Sequence, residues 1–165
     1  MLVAVVSDTH GVSEYIKKVA NVISKADILI HLGDNISDLD ELKTKFTGTV
    51  YGVKGNCDFE NSIPKELLID IEDKKILITH GDRYNVKAGI NTLYYSALEK
   101  KVDVALFGHS HIPLIEEQDG VLFVNPGSPS LPRLNARTIA FLEVDKDKPV
   151  SAYLYEIRVW IKSYT

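Results

Sequence analysis

The sequence of 165 residues contains little cysteine, no excess of basic charge and no long apolar run. Its single cysteine, Cys57, cannot form an intrachain disulfide, which argues against a disulfide-stabilised secreted domain. With 19 Lys+Arg against 23 Asp+Glu, the net charge is −4, so the chain lacks the positive field that general nucleic-acid binders use. No apolar run approaches the roughly 20 residues that span a bilayer.

The rest of the composition is that of a globular protein. Hydrophobic residues make up 45% of the chain and charged residues 25%, which suffices for a sizeable core. The apolar N-terminal stretch, Leu2–Val6, is only five residues long and has no basic flank, so it does not resemble a secretion signal. These features predict a cytoplasmic, reducing setting without a membrane partner.

The first half of the chain alternates strand-like and helix-like segments. Short apolar runs typical of buried strands lie at residues 2–6, 28–30 and 49–53. A helical repeat after Ser13 predicts a helix over about 14–24, and Ser37 followed by Asp40 resembles the capping box of a helix that ends near Lys45. Short right-handed crossovers between these strands predict a parallel sheet with helices against it.

The second half is mostly strands. We predict a hairpin of 66–71 and 75–79 around 72–74, a helix over 86–100, a strand at 104–107, a hairpin turn at Asp119-Gly120, and strands at 138–144 and 150–161. The hairpin makes the sheet arrangement mixed. Since we find no repeat, linker or low-complexity tract, we predict one α/β domain over 1–165, with two packed sheets and helices outside.

Side chains that can bind metal ions follow five of the buried runs. They are Asp8, His10, Asp34, Asn56, His80, His109 and His111. Each alone has an ordinary interpretation as a turn or capping residue. Their conjunction favours a site, because the carboxyl ends of parallel strands are where α/β sheets bind ligands. His109 and His111 can both bind metal only if the backbone between them leaves the extended conformation, which Gly108 permits.

This set of ligands suits two metal ions. Two carboxylates, one carboxamide and four imidazoles favour Mn²⁺, Fe, Ni²⁺ or Zn²⁺ over Ca²⁺. Seven ligands with one shared carboxylate make two four-ligand sites, and paired ions ~3.5–4 Å apart typically serve in-line displacement at phosphorus. Two divalent ions against two carboxylates leave a charge of about +2, which an attacking hydroxide and a singly charged phosphodiester would neutralise.

The combined pattern resembles the calcineurin-like metallophosphoesterases. The resemblance runs from residue 3 to about 133 and rests on Asp8-x-His10, Gly33-Asp34, Gly55-Asn56, His80 and Gly108-His109-x-His111. Two further motifs, Gly55-Asn56-Cys57-Asp58 and Asn125-Pro126-Gly127-Ser128, are similar to those of the small YfcE-like phosphodiesterases, and the light subunit of retromer is also similar. The resemblance implies a four-layer α/β/β/α sandwich of two mixed sheets.

The resemblance also implies a distribution of ligands. One metal would take Asp8, His10, Asp34 and His111, and the other would take Asp34, Asn56, His80 and His109. Asp34 would bridge the ions, and with Asn56 and His80 it would serve catalysis by a metal-bound hydroxide. The expected metal is Mn²⁺ and the expected substrate is a small-molecule phosphodiester, with a phosphomonoester as a second option.

An alternative function is a protein-interaction module with an idle site, as the resemblance to the retromer subunit allows. The presence of all seven ligands favours the enzyme, because an idle site need not keep them. The retromer subunit has lost some of the histidines that stand here as His10 and His109.

Cys57 is a departure from the wider family, which usually has a histidine thought to protonate the leaving oxygen. A thiol is a poorer acid for this role, so we expect diesters with good leaving groups to be favoured. A small buried residue without chemistry is the alternative interpretation of Cys57. The candidate substrate contacts are Cys57, Asp58, Ser128 and Arg133, although the Asp and Ser also suit turns.

Other polar and aromatic residues have structural interpretations. His31 lies inside a predicted strand and is expected to be a packed or supporting histidine rather than an eighth ligand. The aromatic residues Tyr94, Tyr95, Tyr153, Tyr155, Trp160 and Tyr164 suit the core or an oligomer surface. A homo-oligomer, either a dimer or a tetramer, is compatible with the apolar C-terminal strand.

Overall fold

The computed structural model describes residues 1–158, and over these residues it contains ten strands and three α-helices. The strands are β1 (Leu2–Val6), β2 (Ile28–His31), β3 (Thr49–Gly52), β4 (Glu66–Ile71), β5 (Lys74–Thr79), β6 (Val104–Leu106), β7 (Leu114–Gln118), β8 (Val121–Asn125), β9 (Thr138–Glu143) and β10 (Ser151–Glu156). The helices are α1 (Ser13–Ile23), α2 (Leu39–Leu42) and α3 (Asn91–Lys100), with 3-10 turns at Ile36–Asp38, Lys43–Lys45 and Asp82–Tyr84.

The strands form two five-stranded sheets. The first has the order β10-β9-β1-β2-β3 and the second the order β4-β5-β6-β8-β7. Strands β1, β2 and β3 are parallel, as the sequence predicts, and β9 joins them antiparallel to β1. In the second sheet β5, β6 and β8 are parallel, while β4 and β7 are antiparallel edge strands. Both sheets are therefore mixed.

The alternation of side chains along each strand builds the layers. Val3 and Val5 of β1 pack in the core between the sheets, together with Ile78 of β5. Ala4 and Val6 face the opposite way, into the core that α1 and α2 cover. A third core lies between the second sheet and α3. This arrangement confirms the predicted four-layer α/β/β/α sandwich.

The helices differ from the prediction at their ends. Helix α1 begins at Ser13, whose hydroxyl donates to Glu41 (3.0 Å) instead of capping the helix. The helix predicted to end near Lys45 is divided into three short turns, and no capping box forms. The reason is local: Asn35 adopts φ 78°, and Asp38 accepts the N–H of Gly11 (2.9 Å), which holds the chain in a tight turn.

The helix predicted over 86–100 begins only at Asn91. Gly89 has φ 140°, which a helix does not allow, so residues 86–90 form a loop before the helix. The predicted hairpins are both present. Their turns place Glu72 and Asp73, and Asp119 and Gly120, in the left-handed region, as two-residue hairpin loops require.

The last strand is shorter than predicted. It covers Ser151–Glu156, whereas residues 159–161, Trp160 and Tyr164 lie outside the described residues. Tyr153 and Tyr155 pack against Phe141 of β9, with ring centroids 5.5 and 6.0 Å apart, and each keeps part of its surface exposed. Among residues 1–158, no helix has the length and apolar character that crossing a membrane requires.

The core between the sheets should carry much of the stability. Ile30 is fully buried there, so Ile30→Ala should lower the free energy of unfolding by about 2–5 kcal/mol, because it leaves a cavity. Leu154→Ala, on the exposed edge strand, should cost less than about 1 kcal/mol. Urea unfolding followed by circular dichroism measures both, and equal losses in the two variants would contradict this assignment of the core.

Candidate metal centre

The first cluster of candidate ligands joins two loops of the first sheet to one loop of the second. It consists of Asp8, His10, Asp34 and His111, whose ligand atoms all lie within 4.8 Å of one another. Asp8 and His10 follow β1, Asp34 follows β2 and His111 follows β6. The carboxyl ends of strands from both sheets therefore meet at this point, as the sequence predicts for a ligand site.

The second cluster adjoins the first. It consists of Asp34, His80 and His109, whose ligand atoms also lie within 4.8 Å of one another. Asn56 belongs beside it, because its Oδ1 atom lies 3.3 Å from His80 Nε2. The structure thus brings all seven predicted ligands together, in two groups that share Asp34.

The carboxylate of Asp34 faces both clusters. Its Oδ1 atom lies 3.3 Å from His80 Nε2, and its Oδ2 atom lies 4.0 Å from His10 Nε2. Desolvation alone would raise the pKa of Asp34. The hydrogen bond and charge of His80, together with the N–H of Cys57 (3.0 Å), outweigh it and hold that pKa below its usual range. Asp34 is therefore an ionised carboxylate with one oxygen on each side.

Asp8 is fully buried and presents one unpaired oxygen to the first cluster. Its Oδ2 atom accepts from the Ser7 hydroxyl (2.6 Å) and the His109 N–H (3.0 Å), while Oδ1 has no hydrogen bond. That Oδ1 atom lies 3.2 Å from His111 Nε2. An unpaired buried carboxylate oxygen is costly, so this position fits a cation that the oxygen would bind.

Backbone carbonyls orient two of the histidines. His80 Nδ1 donates to the carbonyl of Leu32 (2.8 Å), and His111 Nδ1 donates to that of Leu131 (2.6 Å). The Nε2 atom of each ring is therefore the one turned toward the cluster, an arrangement common among metal-binding histidines. Although burial opposes it, the carboxylates of Asp34 and Asp8 raise the pKa of His80.

The imidazole nitrogens approach each other closely. His10 Nε2 lies 3.2 Å from His111 Nε2, and His80 Nε2 lies 3.1 Å from His109 Nδ1. Burial lowers the pKa of His109, which favours its neutral form. Two lone pairs at such a distance repel each other, so either a proton or a metal cation lies between the two nitrogens of each pair. The donor set of both clusters therefore fits divalent metal ions.

The ligands occupy strained backbone positions. Asp8, His10, Asp34, His109 and His111 have φ between 50° and 66°, in the left-handed region that few residues other than glycine adopt. Such strain is typical of functional sites. The departure from extended geometry that the sequence requires of His109 and His111 is thus present, and it sends the two rings to different clusters.

Two glycines allow the loops to come this close. A Cβ atom added to Gly55 would lie 2.2 Å from Asp34 Oδ1, and one added to Gly108 would lie 1.9 Å from Ser7 Oγ. Neither position has room for a side chain. Gly55 therefore lets the Asn56 loop approach Asp34, and Gly108 lets the His109 loop approach Asp8.

Two of the four candidate substrate contacts are exposed beside the clusters. Cys57 follows Asn56 and has an exposed side chain, and desolvation together with the Asp34 carboxylate raises the pKa of its thiol to about 11. The thiol is therefore protonated at neutral pH. Arg133 is also exposed, and its backbone N–H donates to the carbonyl of His111 (3.2 Å).

The side chains of the other two candidate contacts bind backbone groups of the protein itself. Ser128 is fully buried, and its hydroxyl donates to the carbonyl of Asp8 (2.7 Å). Asp58 accepts four backbone N–H groups at 2.8–2.9 Å, from Asp34, Asn35, Ile36 and Gly55. These bonds use the carboxylate to hold the Asp34 loop against the Asn56 loop, because a carboxylate has lone pairs for several donors.

His31 supports the site from behind. It is fully buried; its Nδ1 atom accepts the N–H of Gly33 (3.1 Å), so its Nε2 atom donates to the Thr9 hydroxyl (3.1 Å). The ring thus links the loops that carry Asp8 and Asp34, in the supporting role that the sequence suggests. The sequence gives no signal for Ser7 or for the carbonyls of Leu32 and Leu131, whose contribution depends on tertiary contacts.

The neutral state of His31 predicts a pH dependence of stability. Burial lowers the pKa of His31 from the ordinary 6.5 to about 4. Between pH 6.5 and pH 4, His31 is therefore protonated in the unfolded chain and neutral in the folded chain. Stability is fully present above pH 6.5 and falls as the pH decreases toward 4. Between pH 7 and 4.5, the free energy of unfolding of the metal-free wild type should fall by about 2–3 kcal/mol more than that of His31→Gln. Urea unfolding of both proteins at a series of pH values, in the presence of a chelator, measures this difference. Parallel pH profiles for the wild type and His31→Gln would refute the prediction.

The role of Asp58 gives a second prediction. In Asp58→Asn the side-chain N–H₂ would face backbone donors, so the variant should lose roughly 2–4 kcal/mol of stability. It should also bind metal more weakly, since the Asp34 and Asn56 loops separate. Urea unfolding and calorimetric metal titration measure these effects. The exposed Asp147→Asn removes the same charge and should change neither.

Comparison with known proteins agrees with this geometry. Residues 1–147 match the calcineurin-like phosphoesterase superfamily domain. The probable metallophosphoesterase YsnB of Bacillus subtilis is 39% identical over 151 residues, which cover 89% of this chain and 86% of YsnB. The phosphodiesterase YfcE of Escherichia coli is 26% identical over 152 residues, covering 77% and 78%.

A solved structure shows the same fold. Vps29 of Chaetomium thermophilum superposes with a TM-score of 0.79 at 21% identity, covering 94% of this chain and 88% of Vps29. At that identity the likeness concerns the fold alone. The family match and the relatives confirm the resemblance on which the predicted metal-dependent phosphoesterase rests. The chain is a member of the calcineurin-like phosphoesterase superfamily.

Proposed function

We propose that this protein is a phosphodiesterase that uses two divalent metal ions. The observation that carries the proposal is Asp34, whose two carboxylate oxygens face two separate groups of ligands. A carboxylate so placed suits a bridge between paired ions, and paired ions are typical of enzymes that cleave phosphoesters by in-line displacement.

In this proposal Asp8, His10, Asp34 and His111 hold one ion, and Asp34, Asn56, His80 and His109 hold the other. When bound, such ions lower the pKa of water to supply a nucleophile and neutralise the charge of the phosphate. The chain supplies the orientation: the carbonyls of Leu32 and Leu131 fix two histidines, and Asp58 fixes the Asp34 loop. We expect Asp34, Asn56 and His80 to lie closest to the reacting phosphate.

Manganese is the metal we propose, with Ni²⁺, Fe or Zn²⁺ as candidates for the same ligands. Carboxylate, carboxamide and imidazole donors bind all of these ions, so supply in the cell contributes to the choice. The described clusters contain no thiolate ligand.

The substrate we propose is a small-molecule phosphodiester with a good leaving group. The Cys57 thiol, with its pKa raised to about 11, donates a proton less readily than an imidazolium would. A leaving oxygen of low basicity needs little protonation, which compensates for this. Arg133 provides a cation at the rim, suited to a phosphate oxygen.

The alternative, an interaction module with an idle metal site, is supported by the fold shared with Vps29. The chain nevertheless keeps seven converging ligands, with their supporting hydrogen bonds. Such supporting partners serve a metal site and have no use in a surface that only binds protein. The geometry therefore favours the hydrolase.

Hydrolysis of bis(p-nitrophenyl) phosphate by metal-stripped protein, with and without Mn²⁺, tests the proposal. We expect turnover that depends on the metal and exceeds that of p-nitrophenyl phosphate. Asp34→Asn should reduce turnover by about 100-fold or more, since both ions lose a charged ligand. The exposed Asp40→Asn serves as the matched control.

Two results would contradict the proposal. One is the absence of turnover with any divalent metal while the protein remains folded. The other is full activity of Asp34→Asn with two bound metals, which would refute the bridging role.

A further inference from the structure

The two backbone carbonyls that orient histidines are held in different ways. Leu32, whose carbonyl binds His80, directly follows β2, and its N–H donates to the carbonyl at the end of β1 (2.8 Å). The first sheet therefore fixes the partner of His80. Leu131, whose carbonyl binds His111, lies in the loop between β8 and β9, so its position depends on contacts other than a strand ladder.

Two side chains hold this loop in place. The Ser128 hydroxyl accepts the N–H of Leu131 (2.8 Å). The Arg137 guanidinium donates through Nη1 to the carbonyls of Pro129 (3.3 Å) and Ser130. Hydrogen bonds from a charged donor of this kind are stronger than neutral ones. The segment directly before Leu131 is therefore attached to the side chain of Arg137.

Tyr15 of helix α1 fixes the guanidinium of Arg137 in turn. The central carbon of the guanidinium lies 4.0 Å from the centroid of the Tyr15 ring, which is the geometry of a cation–π contact. Both residues are half-buried, so salt and water screen this contact less than they would at an exposed site. Helix α1 begins at Ser13, shortly after His10 of the first cluster. Arg137 therefore connects the loop that orients His111 to the helix that follows His10.

We propose that Arg137 is a positioning residue for His111 and thereby sets the metal affinity of the first cluster but not of the second. This inference rests on the ligand set of the proposed function, in which His111 binds one ion and His80 the other. Without the guanidinium, the loop loses its attachment and the Leu131 carbonyl no longer holds the His111 ring. Loss of such a supporting partner typically weakens metal binding by about 10- to 100-fold.

Calorimetric titration of the metal-free protein with Mn²⁺ tests the proposal. We expect Arg137→Met to weaken one of the two Mn²⁺ sites by about tenfold and to leave the other within about twofold of the wild type. Arg137→Lys keeps the positive charge but lacks the planar guanidinium, so it should weaken the same site by about threefold. The lysine variant carries the test if Arg137→Met does not fold.

Two further variants are the controls. Tyr15→Phe keeps the aromatic face under the guanidinium, so it should bind both ions like the wild type. Arg158→Met removes the same charged group from an exposed position and should change neither affinity. A loss with Arg158→Met equal to that with Arg137→Met would reduce the effect to overall charge and overturn the proposal.

Two double-mutant cycles identify the histidine through which Arg137 acts. In His111→Ala the Leu131 carbonyl has no ring to hold, so adding Arg137→Met should weaken Mn²⁺ binding by less than about twofold more. In His109→Ala, which lacks a ligand of the second cluster, the effect of Arg137→Met should remain about tenfold. Equal effects in the two backgrounds, or equal weakening of both sites by Arg137→Met, would overturn the proposal.

Proton NMR of the metal-free protein separates this proposal from the phosphodiesterase function. The His111 Nδ1–H is bonded to a carbonyl, so it should exchange slowly with water and give a downfield resonance, which His111→Ala identifies by its loss. Arg137→Met should remove that resonance and Arg158→Met should retain it. This result without any turnover would reject the phosphodiesterase and retain the Arg137 role. Turnover by the wild type, with a resonance that persists in Arg137→Met, would reject the Arg137 role alone.

Discussion

The structure of this site depends on the convergence of its polar side chains at one point. Two ionised carboxylates and four imidazoles converge within a few ångströms, with Asp8 Oδ1 unpaired and pairs of ring nitrogens 3.1–3.2 Å apart. The ligands alone would separate to regain water. The fold therefore holds them together, and the binding of divalent cations would stabilise this arrangement.

The loops are held by polar groups that do not belong to the site itself. Asp58 collects four N–H groups from the loops of Asp34 and Asn56, and His31 links the loops of Asp8 and Asp34 through Thr9 and Gly33. These bonds offset the cost of the left-handed backbone at the ligands. Stability and metal binding are thus coupled, because the same hydrogen bonds serve both.

The sheets determine where these loops meet. Parallel β1, β2 and β3 end at one edge of the first sheet, and β5 and β6 end at the facing edge of the second. Asp8 and Asp34 come from the first sheet, and His80 and His109 come from the second. The packing of apolar side chains between the sheets brings these pairs together, so the candidate metal centre depends on the inter-sheet core.

The sequence by itself determined the strands, since apolar runs such as residues 2–6 and 104–106 report burial directly. It also identified the seven candidate ligands that the structure brings together, because each stands at the end of such a run. Tertiary structure decided the rest: Asp58 and Ser128 face inward because backbone donors and acceptors from distant loops surround them. Likewise, the 86–90 loop is not helical, because Gly89 adopts φ 140° and Val86 packs on Gly81. Such contacts join residues far apart in the chain, and no local pattern encodes them.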